Sequence, residues 1–93
     1  MSTFFVPYSD NMPAAVDIKG HRLLIVASDL EDIAGDLTAV GGEEVRAVAL
    51  HEDETETLAD LAATVRGGVV VAPPGVKPSM MIYNLEQELP WVH

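Results

Sequence analysis

The chain contains no cysteine among its 93 residues, and only five Lys or Arg side chains stand against fifteen Asp or Glu. Without cysteine, a disulfide framework, a thiol nucleophile, a zinc ribbon and an iron–sulfur site are excluded. A formal net charge of -10 makes unaided binding to nucleic-acid phosphates or an anionic bilayer unfavourable, because affinity for both comes mainly from Lys and Arg. We therefore expect neither a direct nucleic-acid partner nor a membrane partner.

Long hydrophobic runs are also missing from the sequence. The longest, Leu23 to Ala27, is far shorter than the roughly 20 residues needed to span a bilayer. The N-terminal residues lack the basic segment and long apolar core that are typical of a secretory signal. Together with the absence of cysteine, these features predict a cytoplasmic protein.

Apolar residues, in contrast, are abundant at 48%, whereas a disordered acidic chain is poor in Val, Ile and Leu. The chain is therefore expected to fold, and its length allows one domain at most. A domain of this size buries only about 60 to 65% of its unfolded surface, so its stability is marginal unless a partner adds area.

Strand-like and helix-like segments alternate through the middle of the chain. The apolar run in His21–Ala27 predicts a buried strand, and Ser28 to Glu31 reads S-x-x-E, the capping box that opens a helix. Apolar residues follow at helical spacing as far as Val40, and Gly41-Gly42 is a typical helix stop.

The same order then repeats, with a strand over 45–50, a capping box from Asp53 to Glu56, a helix ended by Gly67-Gly68 and a strand over 69–72. Strands too apolar to alternate are typical of a parallel sheet covered on both faces. The prediction is an α/β fold: a small two-layer or three-layer βαβαβ core with a mostly parallel sheet of three or four strands. Residues 14–18 can add an antiparallel edge strand through a hairpin at Lys19-Gly20.

This organisation divides the chain into an N-terminal apolar arm (1–13), an α/β core (14–78) and a C-terminal aromatic and Met-rich tail (79–93). Two short helices cannot cover the whole predicted sheet, so the termini either fold back onto it or form an interface with another chain. The terminal apolar residues are accordingly candidates for partner binding: Phe4, Phe5, Tyr8, Met80, Met81, Tyr83, Leu85, Leu89 and Trp91.

Acidic residues gather at the two predicted helix starts. A negative face there could imitate the phosphate line of DNA, or it could serve only the helix dipole and solubility. The residues of this candidate acidic face are Asp29, Glu31, Asp32, Asp36, Glu52, Asp53, Glu54 and Glu56.

Evidence for catalysis or a cofactor is weak. Asp29, His51 and Asp53 could approach a divalent cation at the sheet edge, but they have no recognised ligand spacing. The first strand-to-helix turn contains no glycine, which argues against a nucleotide site. We therefore assign no catalytic residue, no metal ligand and no cofactor.

These observations favour a non-catalytic protein–protein interaction module, an accessory, regulatory or assembly subunit that works as a homo-oligomer or bound to a larger protein. Two alternatives stay open: an acidic DNA-mimic inhibitor of a nucleic-acid-binding protein, and a small-ligand or metal-binding α/β domain or enzyme subunit. The sequence leaves the partner, the strand order, the oligomer size and a host or phage origin undetermined.

Overall fold

The computed structural model of the protein describes residues 2–50 and 54–88. Within these ranges the chain forms six strands, three α-helices and one 3-10 turn. In chain order they are β1 (Ser2–Ser9), β2 (Met12–Pro13), β3 (Val16–Ile18), β4 (His21–Ala27), α1 (Leu30–Ala34), the 3-10 turn (Leu37–Val40), β5 (Glu44–Leu50), α2 (Glu54–Val65), β6 (Gly68–Ala72) and α3 (Pro78–Glu88).

Strand β1 lies inside the sheet. It pairs antiparallel with β5 along nearly its whole length, from Ser2 opposite Leu50 to Tyr8 opposite Glu44. Its other side meets the end of β4, where Phe5 pairs antiparallel with Ala27. Strand β6 extends the sheet beyond β4, to which it is parallel. The four longer strands therefore follow the order β5-β1-β4-β6.

The short strands β2 and β3 fill the gap where β1 and β4 diverge. Tyr8 pairs with Pro13 of β2 as well as with β5, so β2 lies on the β4 side of β1. Leu23 pairs with Val16 of β3 as well as with β6, so β3 lies on the β1 side of β4.

Both short strands are held by tight hairpin turns. Asp10 and Asn11 (φ 52° and 63°) join β1 to β2, and Lys19 and Gly20 (φ 49° and 85°) join β3 to β4. Two successive residues with positive φ are typical of the type I′ turn, whose twist matches that of paired strands. The predicted hairpin at Lys19-Gly20 is thus confirmed, and β3 pairs antiparallel with β4.

The prediction of a mostly parallel sheet of three or four strands is wrong. The sheet has six strands in the described ranges and is mostly antiparallel, with β4 and β6 as its parallel pair. Strands β4, β5 and β6 do run in the same direction, but β1 separates β5 from β4 and pairs antiparallel with each. The apolar pattern reflects burial of both faces, and helices on both faces impose it whatever the strand direction.

Helices cover both faces of the sheet. Helix α2 packs on the face formed by Phe4, Val6, Leu24 and Val26 through its apolar stripe, which consists of Leu58, Leu61 and Val65. The 3-10 turn, through Val40, and α3 cover the opposite face, which contains Ile18, Ile25 and Ala72. Alternation along β4 separates the two clusters, since successive side chains of a strand point to opposite faces.

The first predicted helix, from Ser28 to Val40, is shorter than expected. Helix α1 covers only Leu30–Ala34, and its N-cap is Asp29, whose Oδ1 accepts a hydrogen bond from the Glu31 amide at 3.2 Å. Ser28 instead continues the sheet, with its amide donating to the Ala72 carbonyl at 3.2 Å. The predicted capping box at Ser28 is therefore replaced by an Asx cap one residue later.

The terminal segments fold into this architecture. Residues 2–13 of the predicted arm supply β1 and β2, and α3 takes in residues 79–88 of the predicted tail. No helix in the described ranges is long and apolar enough to cross a membrane.

Gly67 is required where α2 ends against β4. A Cβ atom at this position would collide with the backbone oxygen of Arg22. We expect Gly67→Ala to lower the free energy of unfolding by about 1–3 kcal/mol, because the clash is with backbone and not with a flexible side chain. Gly35→Ala is the control, since its Cβ meets only the Glu31 carbonyl at 3.9 Å and its φ of -82° suits alanine. Urea unfolding followed by circular dichroism compares the two variants; equal stability would contradict the packing described here.

Candidate interaction surface

Helix α3 carries most of the C-terminal candidate residues and divides them between two sides. Met81, Ile82 and Leu85 are half-buried and pack against the cluster beneath the helix. Their spacing of one and three residues forms a stripe on one side of a helix. Met81 and Leu85 therefore contribute to the core of their own domain.

The opposite side of α3 presents Met80 and Tyr83 to solvent. Their side chains are 51% and 64% exposed, the latter being the highest value among the exposed large apolar residues in the described ranges. Residues three apart are neighbours on a helix surface, so the two form one apolar patch. We call Met80 and Tyr83 the α3 patch.

The N-terminal candidates are mostly used inside the fold. Phe4 is only 7% exposed and belongs to the core beneath α2. Phe5 is half-buried at the junction of β1, β4 and β5. Tyr8 is half-buried, and the Arg46 guanidinium lies over its ring, 4.4 Å from the centroid. None of the three offers a broad free surface comparable to that of Tyr83.

The Arg46 guanidinium joins the hairpin tip to β5. Its Nη2 atom donates to Asn11 Oδ1 at 2.7 Å and to Glu44 Oε1 at 2.8 Å. Nearby, Ser9 Oγ donates to Glu43 Oε1 at 3.0 Å. The ring face of Tyr8 is therefore occupied by a cation that is itself held in place, which makes this end of β1 a structural cluster.

Acidic residues around α1 bind backbone groups of the same chain. Asp29 caps α1, Asp32 Oδ2 accepts from the Gly75 amide at 2.8 Å, and Asp36 Oδ2 accepts from the Ser79 amide at 2.6 Å. Three of the four acidic candidates in this region thus have a structural role. Glu31 is exposed, and its amide is the donor in the α1 cap.

The second acidic group is only partly described. Glu56 lies exposed on α2, and Glu54 is the first residue of that helix. Glu52 and Asp53, together with the C-terminal candidates Leu89 and Trp91, lie outside the described residues. Glu31 lies on α1 and Glu56 on α2, so the two carboxylates do not share one helical surface.

No metal centre is apparent in residues 2–50 and 54–88, where no group of three His, Asp or Glu side chains is placed to hold an ion. The strand-to-helix turn after β4 is closed by the Asp29 cap and by the Ser28 hydrogen bond to β6. What the described surface offers is therefore apolar contact area and the Tyr83 hydroxyl, which can donate or accept a hydrogen bond.

Asp36 holds the start of α3 from a distant part of the chain. The residue before the helix is Lys77, whose side chain has no acceptor, and the first helical residue is Pro78. Asp36 supplies the missing acceptor to Ser79, the second residue of the helix. Sequence reasoning missed this role, because the Lys77-Pro78 pair indicates a helix start without indicating which residue caps it.

We expect Asp36→Ala to lower the free energy of unfolding by about 1–2 kcal/mol, the usual cost of deleting a cap. Asp36→Asn keeps an acceptor oxygen and should cost less. Thr38→Ala, an exposed change in the adjacent 3-10 turn, serves as the control. Urea unfolding monitored by circular dichroism gives the three values. An alanine variant as stable as the wild type would show that the cap contributes nothing to stability.

Comparison of the chain with protein-family models, curated proteins and solved structures finds no significant match.

Proposed function

We propose that the protein is a non-catalytic interaction module, an accessory, regulatory or assembly subunit, and that the α3 patch is the surface through which it engages a larger protein. The observation that carries this proposal is the exposure of Met80 and Tyr83 on the side of α3 that faces away from the core. The enclosed side of the helix already satisfies the packing of the domain, so the fold does not require apolar residues at these two positions.

Tyrosine and methionine are well suited to this role. Tyr is enriched among the residues that dominate binding energy at protein interfaces, because its ring supplies a large contact area and its hydroxyl a hydrogen bond. Met is flexible and polarisable, so it adapts to an irregular pocket. Polar residues surround the patch on the same helix, where Asn84, Glu86 and Gln87 are exposed. An apolar centre with a polar rim is the usual arrangement of an interface.

The net charge of the protein also indicates which kind of partner surface it binds. With a net charge of -10, the protein is attracted over a distance to a surface rich in Lys and Arg and is repelled by an acidic one. The partner proposed here therefore has an apolar pocket that accepts Tyr83, with basic residues around it. Such complementarity accelerates association, and burial of the aromatic ring slows dissociation.

Acidic mimicry of nucleic acid has less support. Asp29, Asp32 and Asp36 direct carboxylate oxygens at backbone amides of their own chain, so their placement follows from the needs of the fold. A ligand-binding or enzymatic domain likewise has no specific observation in its favour among the described residues. The α3 patch, in contrast, belongs to neither core cluster of the described residues.

A pair of matched double variants tests the proposal. Met80→Ser with Tyr83→Ser removes the α3 patch, whereas Met12→Ser with Leu30→Ser removes two exposed apolar side chains elsewhere, at 53% and 46% exposure. Affinity-tagged versions are incubated with an extract of the source cells, and proteins that bind the wild type are identified by quantitative mass spectrometry, purified and titrated directly.

We expect the α3 variant to weaken binding of the purified partner by about 30-fold or more, since an interface residue of this kind contributes at least about 2 kcal/mol. The Met12 and Leu30 control should bind like the wild type. A partner that binds the α3 variant and the wild type equally well would contradict the proposal.

A further inference from the structure

The outer edge of β6 differs from the other edge of the sheet. Within the described ranges, β6 has β4 as its single partner strand and β5 has β1. Strand β5 carries Glu44 and Arg46, and charged side chains on an edge discourage pairing with another chain. Strand β6 reads Gly-Val-Val-Val-Ala and has neither a charge nor a proline within it. An apolar edge of this kind is a ready template for another strand.

Two residues of β6 direct their backbone groups outward. The Ala72 carbonyl accepts from Ser28, which follows β4, so the polar groups of Ala72 point towards β4. The backbone N–H and C=O groups of successive residues point to alternate sides of a strand. The N–H and C=O groups of Val70 therefore also face β4, and the N–H and C=O groups of Val69 and Val71 face the open edge. Both edge residues thus offer one N–H and one C=O to a new partner.

Val70 also has an incompletely covered side chain. Val69 and Val71 pack against the cluster beneath α2, whereas Val70 points to the opposite face, is half-buried and belongs to neither core cluster. A strand added beside β6 would cover it. After Ala72 the chain continues with Pro73 and Pro74, which have no backbone N–H donors. Strand pairing is therefore confined to β6 itself.

Opposite charges lie at the two ends of this edge. Near the start of β6 are two of the five basic residues of the chain, Arg22 and Arg66, both exposed, and Arg22 is paired in register with Asp17 of β3. We call this group the basic end. Its closeness to β6 is fixed by Gly67, which lies against the Arg22 backbone and follows Arg66 directly.

The other end of the edge is acidic. Ser28 is bonded to Ala72, and Asp32 is bonded to Gly75, which brings the start of α1 to the end of β6. Here three carboxylates accompany the single cation Lys77, and they belong to Asp29, Glu31 and Asp32. We call these three residues the acidic end.

We propose that β6 pairs antiparallel with β6 of a second copy, around a two-fold axis beside Val70, so that the two sheets join into one. This register aligns Val69 with Val71 of the second copy and uses all the outward N–H and C=O groups of both residues. It brings the two Val70 side chains together on one face. It also sets the basic end of each copy beside the acidic end of the other, whereas parallel pairing would bring like charges together.

This inference is independent of the α3 patch. Its occupant is a second copy of the chain, and the reason is the charge complementarity of the edge with itself under two-fold rotation. The double variant at Met80 and Tyr83 should therefore leave self-association unchanged, and loss of the partner interaction would not alter the sheet-edge dimer.

The absence of native cysteine permits a direct test on the full chain. In Val70→Cys the two new thiols face each other across the proposed axis, at a separation that allows a disulfide. Ala47→Cys, an exposed position in the middle of β5, is the matched control on the other edge. Under mild oxidation, we expect Val70→Cys to form a covalent dimer at least about tenfold faster than the control, because pairing raises the effective thiol concentration. Equal rates would overturn the proposal.

Sedimentation equilibrium of the unmodified protein checks the same point without a substitution. As the protein concentration increases from low micromolar to several hundred micromolar, we expect the average molecular mass to rise from that of one copy towards that of two. A single-copy mass at every concentration would overturn the proposal.

Charge reversal tests the orientation. Arg66→Glu places a carboxylate beside the acidic end of the second copy, so we expect the dimer Kd to rise by about tenfold through its two symmetric contacts. Arg46→Glu makes the same change in net charge at the β5 edge and should leave the Kd unchanged. Equal effects of the two variants would show that the edges do not pair antiparallel through β6.

Discussion

Antiparallel pairing of β1 with both β4 and β5 is the interaction on which the rest of the fold depends. It places the first strand of the chain between two strands that the sequence connects through α1 and the 3-10 turn. Val6 and Pro7 are fully buried there, and Phe4 nearly so. Each fully buried large apolar side chain contributes roughly 1.5–3 kcal/mol, against a net stability of about 5–15 kcal/mol for a whole domain. The N-terminal segment is thus integral to folding.

Placing β1 inside the sheet also determines where the helices must lie. Strand β5 is at one end of the sheet and β6 at the other, so the connection through α2 crosses the whole sheet on one face. The opposite face is covered by the 3-10 turn and α3. Helix α3 is short and begins at a residue that cannot cap it, and its position is secured by Asp36. Packing within the domain takes up Phe4, Met81 and Leu85, and hydrogen bonds to backbone amides take up Asp29, Asp32 and Asp36.

Local structure could be predicted well from the sequence, because its causes lie within a few residues. The His21–Ala27 strand has the expected bounds, and the Lys19-Gly20 hairpin is present. The cap of α1 was displaced from Ser28 to Asp29, because Ser28 is engaged in a hydrogen bond with Ala72, far along the chain. The prediction of a mostly parallel sheet was wrong for a related reason, since β1 pairs antiparallel between β4 and β5. An uninterrupted apolar strand indicates that both faces of the sheet are buried. This sequence pattern does not change when an antiparallel strand lies between two parallel ones.

The surface residues show the same division between features set by neighbouring residues and features set by distant contacts. Composition alone sets the strongly acidic character of the protein, and the sequence alone marks both terminal segments as apolar. Only the tertiary structure decides that Met81, Ile82 and Leu85 face the sheet, that Met80 and Tyr83 remain outside, and that β6 is an edge strand. Periodicity and capping act between neighbours along the chain. The pairing of Phe5 with Ala27 and of Ser2 with Leu50 is a competition among distant segments, which is resolved only when the whole core is packed.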